Sequence, residues 1–172
     1  MDRYKFITSL PAKKCSYSPL GRKLSDIKFI VVHYTGNYSD TAYNNARYFN
    51  LYNKDKVGAH FFVDDHNIYQ SIAPTKVAYA VGKKYGKALL WKKVTNRNSL
   101  SVELCSTNGF SSNDTLAQSE LFIKGLMYKY HIPPERVVRH YDVTGKNCPG
   151  WVGWTGEDSK EWYRFKARFY SR

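Results

Sequence analysis

Nine residues, "DIKFIVVHY" (Asp26–Tyr34), constrain this chain more than any others. They hold a short, nearly continuous apolar run that is rich in β-branched side chains and closes on His33, the pattern of a strand buried on both faces. Such a strand needs neighbours on both sides and cover above and below. The following segments provide them. Ser39 or Asp40 can cap a helix carrying Ala42, Ala46 and Phe49 on one side and running to about Tyr52. "HFFVDDHNIYQSI" reads as two strands joined by the turn Asp64-Asp65-His66-Asn67, with His60 opening the first. In "SLSVELC", alternation places Leu100, Val102 and Leu104 on one face and Ser101, Glu103 and Cys105 on the other. Asn113 or Asp114 caps a long helix to about Tyr130, where Pro133-Pro134 stops it. "RVVRH" is a further strand that delivers His140, and Trp162, Phe165 and Phe169 line one face of a last helix as core packing. Strands interleaved with helices predict an α/β fold, a single domain over residues 1–172 with a central mixed β-sheet flanked by helices.

The length is sufficient for a hydrophobic core without disulfide support. Cys15, Cys105 and Cys148 are an odd number at wide spacings, which argues against both a disulfide framework and a four-thiolate cluster. A net charge of +13 implies an acidic partner, either nucleic acid or an anionic surface such as a bacterial wall or membrane. The lysines and arginines are spread along the chain rather than gathered in a tail, so the charge belongs to the folded surface. Aromatic residues make up 16% of the chain and could stack on bases, but they are dispersed and no nucleic-acid recognition motif accompanies them. No nucleic acid is expected as partner. The start, "MDRYKFITSLPAKK", lacks the apolar stretch of a signal peptide, and no segment approaches membrane-spanning length. The expectation is synthesis in the cytoplasm, with any work outside needing another exit route.

The chemistry concentrates in "RHYDVTGKNCPG" (Arg139–Gly150), a stretch read as too rich in Gly, Asn and Pro for helix or long strand. His33 and His140 each end a buried strand, and Cys148 follows on the loop after the second. Together they could meet at one edge of the sheet. Two imidazoles and a thiolate suit Zn²⁺ with the fourth tetrahedral position open. Taken singly, His33 could be a satisfied core histidine and Cys148 a small buried hydrophobe. Asp142 could orient a ligand histidine or cap the turn after it.

"IVVHYTG", "NSLSVELC" and "RHYDVTGKNCPG", in this order, resemble the zinc-dependent N-acetylmuramoyl-L-alanine amidases of type 2, endolysin and autolysin enzymes related to peptidoglycan recognition proteins. The similarity runs from about Ile27 to Trp151. It implies Zn²⁺ held by His33, His140 and Cys148, Glu103 as the catalytic carboxylate and Lys146 as the cation that steadies the oxyanion. It also implies hydrolysis of the amide between N-acetylmuramic acid and L-alanine in peptidoglycan; the positive charge then points to anionic wall polymers as further partners, and the missing signal-peptide pattern to release through a phage-made membrane lesion. His60 matches a position that is often histidine in the family and could serve in substrate contact or in structural hydrogen bonding, and Tyr34 is a further candidate for substrate binding. Where many relatives carry a histidine, this chain has Ala80, which puts one substrate contact in doubt. The rival class is a non-catalytic peptidoglycan-binding module on the same fold.

Overall fold

The computed structural model describes residues 7–171. Residues 1–6, part of the segment read for a signal peptide, lie outside the described residues. In chain order the strands are β1 (Ile7–Ser9), β2 (Tyr17–Ser18), β3 (Phe29–Tyr34), β4 (Phe61–Val63), β5 (Ile68–Gln70), β6 (Val77–Ala78), β7 (Ser99–Leu104) and β8 (Val137–Arg139). The helices are α1 (Ala42–Leu51), α2 (Asn113–Tyr130), α3 (His140–Thr144) and α4 (Lys160–Ala167). Six strands form one sheet in the order β1-β5-β4-β7-β3-β8, and β2 pairs with β6 apart from it.

The apolar run that closes on His33 is β3, and it lies between β7 and β8, parallel to both. Its neighbour β7 is parallel to β4 as well, so four parallel strands end at the same edge. β5 reverses direction against β4 through the expected hairpin, and β1 runs parallel to β5 at the sheet's other end. That hairpin is held by Asp64, whose Oδ1 accepts from the His66 and Asn67 amides at 2.8 and 2.6 Å while Oδ2 accepts from Ala42 N at 2.8 Å. One carboxylate thus fixes both the turn and the first residue of α1.

Alternation sorts the side chains as the sequence predicts. Ile30, Val32, Leu100, Val102 and Leu104 pack with Phe122, Ile123 and Leu126 of α2 and with Trp162 and Phe165 of α4. Each of these fully buried side chains contributes about 2 kcal/mol of transfer free energy. Phe29 and Val31 point the other way, onto Val138, Val143 and the segment around Val81 and Val94. Trp162, Phe165 and Phe169 are core, as expected.

Three local expectations need correction. The cap of α1 is Thr41, whose hydroxyl accepts from Asn44 N, because Asp40 is occupied by Ser106 N and the Asn45 side chain. The cap of α2 is Ser112, one residue ahead of the expected pair. The stretch after β8 does hold helix: His140–Thr144 makes one turn, nucleated by Asp142 receiving the Arg139 amide at 2.8 Å and closed by Gly145 at φ +79°. No described helix is long and apolar enough to cross a membrane.

Candidate metal centre

The parallel register decides what meets at the sheet edge. His33 on β3 is the direct partner of Glu103 on β7, and β8 ends beside them at Arg139, so the next residue, His140, opens α3 against the same edge. Cys148 returns after the α3 turn, its carbonyl accepting from Tyr141 N at 2.9 Å. The outcome is that one ligand atom each from His33, His140 and Cys148 lies within 4.8 Å of the others, all three residues buried. The two imidazole rings are 4.5 Å apart between centroids, and Cys148 Sγ is 3.9 Å from His33 Nδ1.

The hydrogen bonds separate the two nitrogens of each ring. His140 Nε2 donates to the Val81 carbonyl at 2.7 Å, while its Nδ1 is buried without a partner among the described residues. A backbone carbonyl holding one imidazole N–H leaves the other nitrogen as a free lone pair, the arrangement a metal ligand needs. Burial drives His33 well below the ordinary histidine range, with His140 and Lys146 adding to the shift. Burial likewise brings His140 down to about 4, against the opposing bond to Val81. Both rings are therefore neutral and able to coordinate. Cys148 is pushed up to about 12, chiefly by burial and next by the Glu103 charge. Only a local cation would turn that thiol into a thiolate, and a divalent ion does so on binding. The donor set and the orphaned nitrogen fit a zinc-like ion.

Glu103 stands beside this cluster, its Oε1 3.8 Å from His33 Nδ1 and its Oε2 buried with no partner among the described residues. Desolvation raises its carboxyl to about 8, Lys146 pulling it down and Asp40 pushing it up. Lys146 is exposed on the loop between α3 and Cys148. Tyr34 is half-buried at the rim, edge-on to Trp151 at 5.4 Å between centroids, with Gly150 packed against its ring. A side chain at 150 would collide with the tyrosine hydroxyl.

His60 sits elsewhere. It is 1% exposed and directly precedes β4, with its Nδ1 2.9 Å from Oγ of Ser101, the β7 residue two before Glu103, and its Nε2 2.8 Å from Arg22 Nη2. Ser101 N also donates to Nδ1 at 3.0 Å, and the Lys76 carbonyl lies 3.2 Å from Nε2, so both ring nitrogens are engaged within the fold. Of the two roles open to it, this is the structural one. Asp142 is a cap and the bidentate partner of Arg139 at 2.6–3.1 Å, so it does not orient a ligand histidine. The Val81 carbonyl takes that part, and no side-chain pattern could have announced a backbone group. Arg22 was equally silent in the sequence: a basic residue in a Gly-Arg-Lys loop gives no sign that it will be buried.

The family model described as N-acetylmuramoyl-L-alanine amidase matches residues 23–151. The chain belongs to this amidase family. A probable N-acetylmuramoyl-L-alanine amidase of Bacillus licheniformis is 34% identical over 147 residues, 82% of this chain and 42% of that protein. The N-acetylmuramoyl-L-alanine amidase CwlL of the same organism is 33% identical over 88% of this chain and 43% of its own length. The chain thus spans about two fifths of the curated relatives it matches. Among solved structures, PlyL superposes with a TM-score of 0.76 at 27% identity, covering 95% of this chain and 96% of PlyL. The catalytic domain of XlyA gives 0.76 at 25% identity, covering 95% and 98%. These neighbours share the single-domain mixed-sheet fold.

Proposed function

We propose that this chain is a zinc-dependent catalytic domain that hydrolyses the amide between N-acetylmuramic acid and L-alanine in bacterial peptidoglycan. The observation that carries the reading is the convergence of His33, His140 and Cys148 within 4.8 Å beside Glu103, in a chain of the amidase family.

An amide resists water because resonance weakens its carbonyl as an electrophile. Hydrolysis needs an activated nucleophile, a stabilised oxyanion and a proton for the leaving nitrogen. His33, His140 and Cys148 would hold the zinc, which when bound supplies Lewis acidity toward water and the scissile carbonyl. Glu103 takes the proton from the attacking water and returns it to the departing L-alanine nitrogen. Its partial burial favours the neutral acid and so suits the second half of that transfer. Lys146, a compact cation on the open side, stabilises the negative charge that develops on the carbonyl oxygen. Tyr34 at the rim contacts the substrate. His60 is not assigned a substrate contact, because both ring nitrogens are engaged below the cleft.

In the cell the substrate lies in the wall, reached after passage through a membrane lesion. The test is chemical. Chelator treatment abolishes release of new L-alanine amino termini from purified walls, and added zinc restores it. Release that persists at full rate in the metal-stripped protein contradicts the reading.

A further inference from the structure

Although the basic residues are spread along the chain, the acidic ones are not. Between His66 and Val102 there is no Asp or Glu, while Lys76, Lys83, Lys84, Lys87, Lys92, Lys93 and Arg97 all fall there. Five of these lysines lie on a strap, residues 82–93, that crosses the sheet face next to the metal centre, and all five are exposed. None of the five lies within salt-bridge distance of a carboxylate among the described residues. Lys83 Nζ instead sits over the Tyr85 ring at 5.6 Å.

The strap is fixed from beneath. Tyr85 N and Gly86 N donate to the Thr144 carbonyl at 2.7 and 3.3 Å, and Leu90 N donates to the Asp142 carbonyl at 3.2 Å. Gly86 lies so close to Gly145 that a Cβ on residue 145 would meet its backbone at 2.8 Å. Leu90 and Trp91 pack into the cluster of Val138 and Val143. At its start, Ala80 N and Val81 N both donate to Asn96 Oδ1, and Val81 holds His140 by its carbonyl. A strip of ammonium groups with no carboxylate of its own is thereby clamped to α3, whose first residue is the candidate ligand His140.

We infer that residues 82–93 form a docking surface for a wall polymer of repeating phosphodiesters, the teichoic-acid class, which brings the cleft to its substrate. This rests on the wall-amidase reading. Lysine is a point-charge partner for phosphate, and a flexible polyanion that displaces its counterions onto clustered lysines gains affinity without any shaped pocket. A lipid surface fits less well, because the strap exposes only Tyr85 and Leu89 as large apolar groups and interfacial binding scales with buried apolar area.

The experiment compares the full chain with two variants that each carry +8 in place of +13. One changes Lys83, Lys84, Lys87, Lys92 and Lys93 to Gln; the other changes the exposed Lys13, Lys14, Lys28, Lys54 and Lys56 to Gln. Sedimentation with intact walls, and with walls stripped of phosphodiester polymer by hydrofluoric acid, is followed across a salt series. The strap variant should lose about tenfold or more in retention on intact walls near 0.1 M salt, with a salt dependence shallower by about three in the log-log slope. The control variant should lose far less, and stripping the walls should erase the difference. Equal losses in the two variants, or retention indifferent to stripping, overturn the inference. So does strap-dependent binding to anionic vesicles or DNA as tight as to intact walls. Cleavage of a soluble muramoyl-L-alanine fragment is measured in parallel and should be the same in all three proteins. Failure of every protein to cleave it would sink the amidase reading while leaving the binding result to stand by itself.

Discussion

His140 and His60 are both buried histidines on the same side of one sheet, yet they differ in what their nitrogens meet. His60 has Ser101 on one side of the ring and Arg22 on the other, so both nitrogens are engaged. His140 has the Val81 carbonyl on one nitrogen and no hydrogen-bond partner among the described residues on the other, and it faces His33 and Cys148. Buried polar atoms are almost always paired, so the unpaired ones mark where something else belongs. The satisfied histidine holds the fold. The unsatisfied one is available to chemistry.

The largest expected effect breaks the upper cluster. Cys148→Ser should reduce bound zinc from about one per chain to a small fraction and cost at least a thousandfold in turnover, because two imidazoles alone hold the ion poorly. Metal analysis beside a wall-release assay checks it, and retained zinc with full turnover refutes the assignment. Lys146→Met comes next, with a loss of about a hundredfold in kcat. Since Lys146 lowers the Glu103 pKa, its removal should also move the Glu103 limb of the pH–rate profile to higher pH.

The lower cluster should respond in stability instead. Arg22 Nε donates to the Pro74 carbonyl, and its Nη1 donates to the carbonyls of Asn96, Arg97 and Ser99 at 2.7–3.1 Å, a buried cation stapling the entry to β7. Arg22→Met leaves those acceptors and His60 unpaired and should cost about 3 kcal/mol in denaturant unfolding. Bound zinc should stay near one per chain, and loss of the metal along with stability would erase the contrast between the two regions.

The smallest effect concerns pH. Burial first, and then the Arg22 charge, bring His60 down to about 3 from an ordinary 6.5. The folded state therefore refuses a proton that the unfolded chain accepts. The stability this confers is complete above pH 6.5 and is lost as pH falls toward 3, by up to about 1.4 kcal/mol per unit from this residue. His60→Gln should flatten the decline by that amount in metal-free protein. An unchanged slope would mean that His60 is not the group resisting protonation.

The sequence made the sheet legible where pattern and burial coincide. "DIKFIVVHY" and "SLSVELC" are strands as their apolar patterns predict, and their parallel pairing, which the patterns do not specify, carries His33 to Glu103. Placing His33 and His140 at strand ends allowed the three candidate ligands to meet at one sheet edge, but spacing along the chain carries no distances, and the register of β3, β7 and β8 supplies them. Caps were less legible, because neighbouring polar residues compete for one position. Asp40 forgoes α1 for Ser106 and Asn45, and Thr41 takes the cap. The turn of helix at His140 was hidden for a related reason: it is stabilised by an Arg139–Asp142 pair that also braces Trp154 and Ser159, contacts distant in sequence.

The direct test of the central claim is calorimetric titration of zinc into metal-free protein in buffers of different ionisation heat. With both imidazoles already neutral and the Cys148 thiol protonated, the account predicts one ion per chain and release of at least one proton per ion at neutral pH. His60→Gln should give the same titration and Cys148→Ser should abolish tight binding. Zinc binding that survives Cys148→Ser with its proton release unchanged would contradict the account.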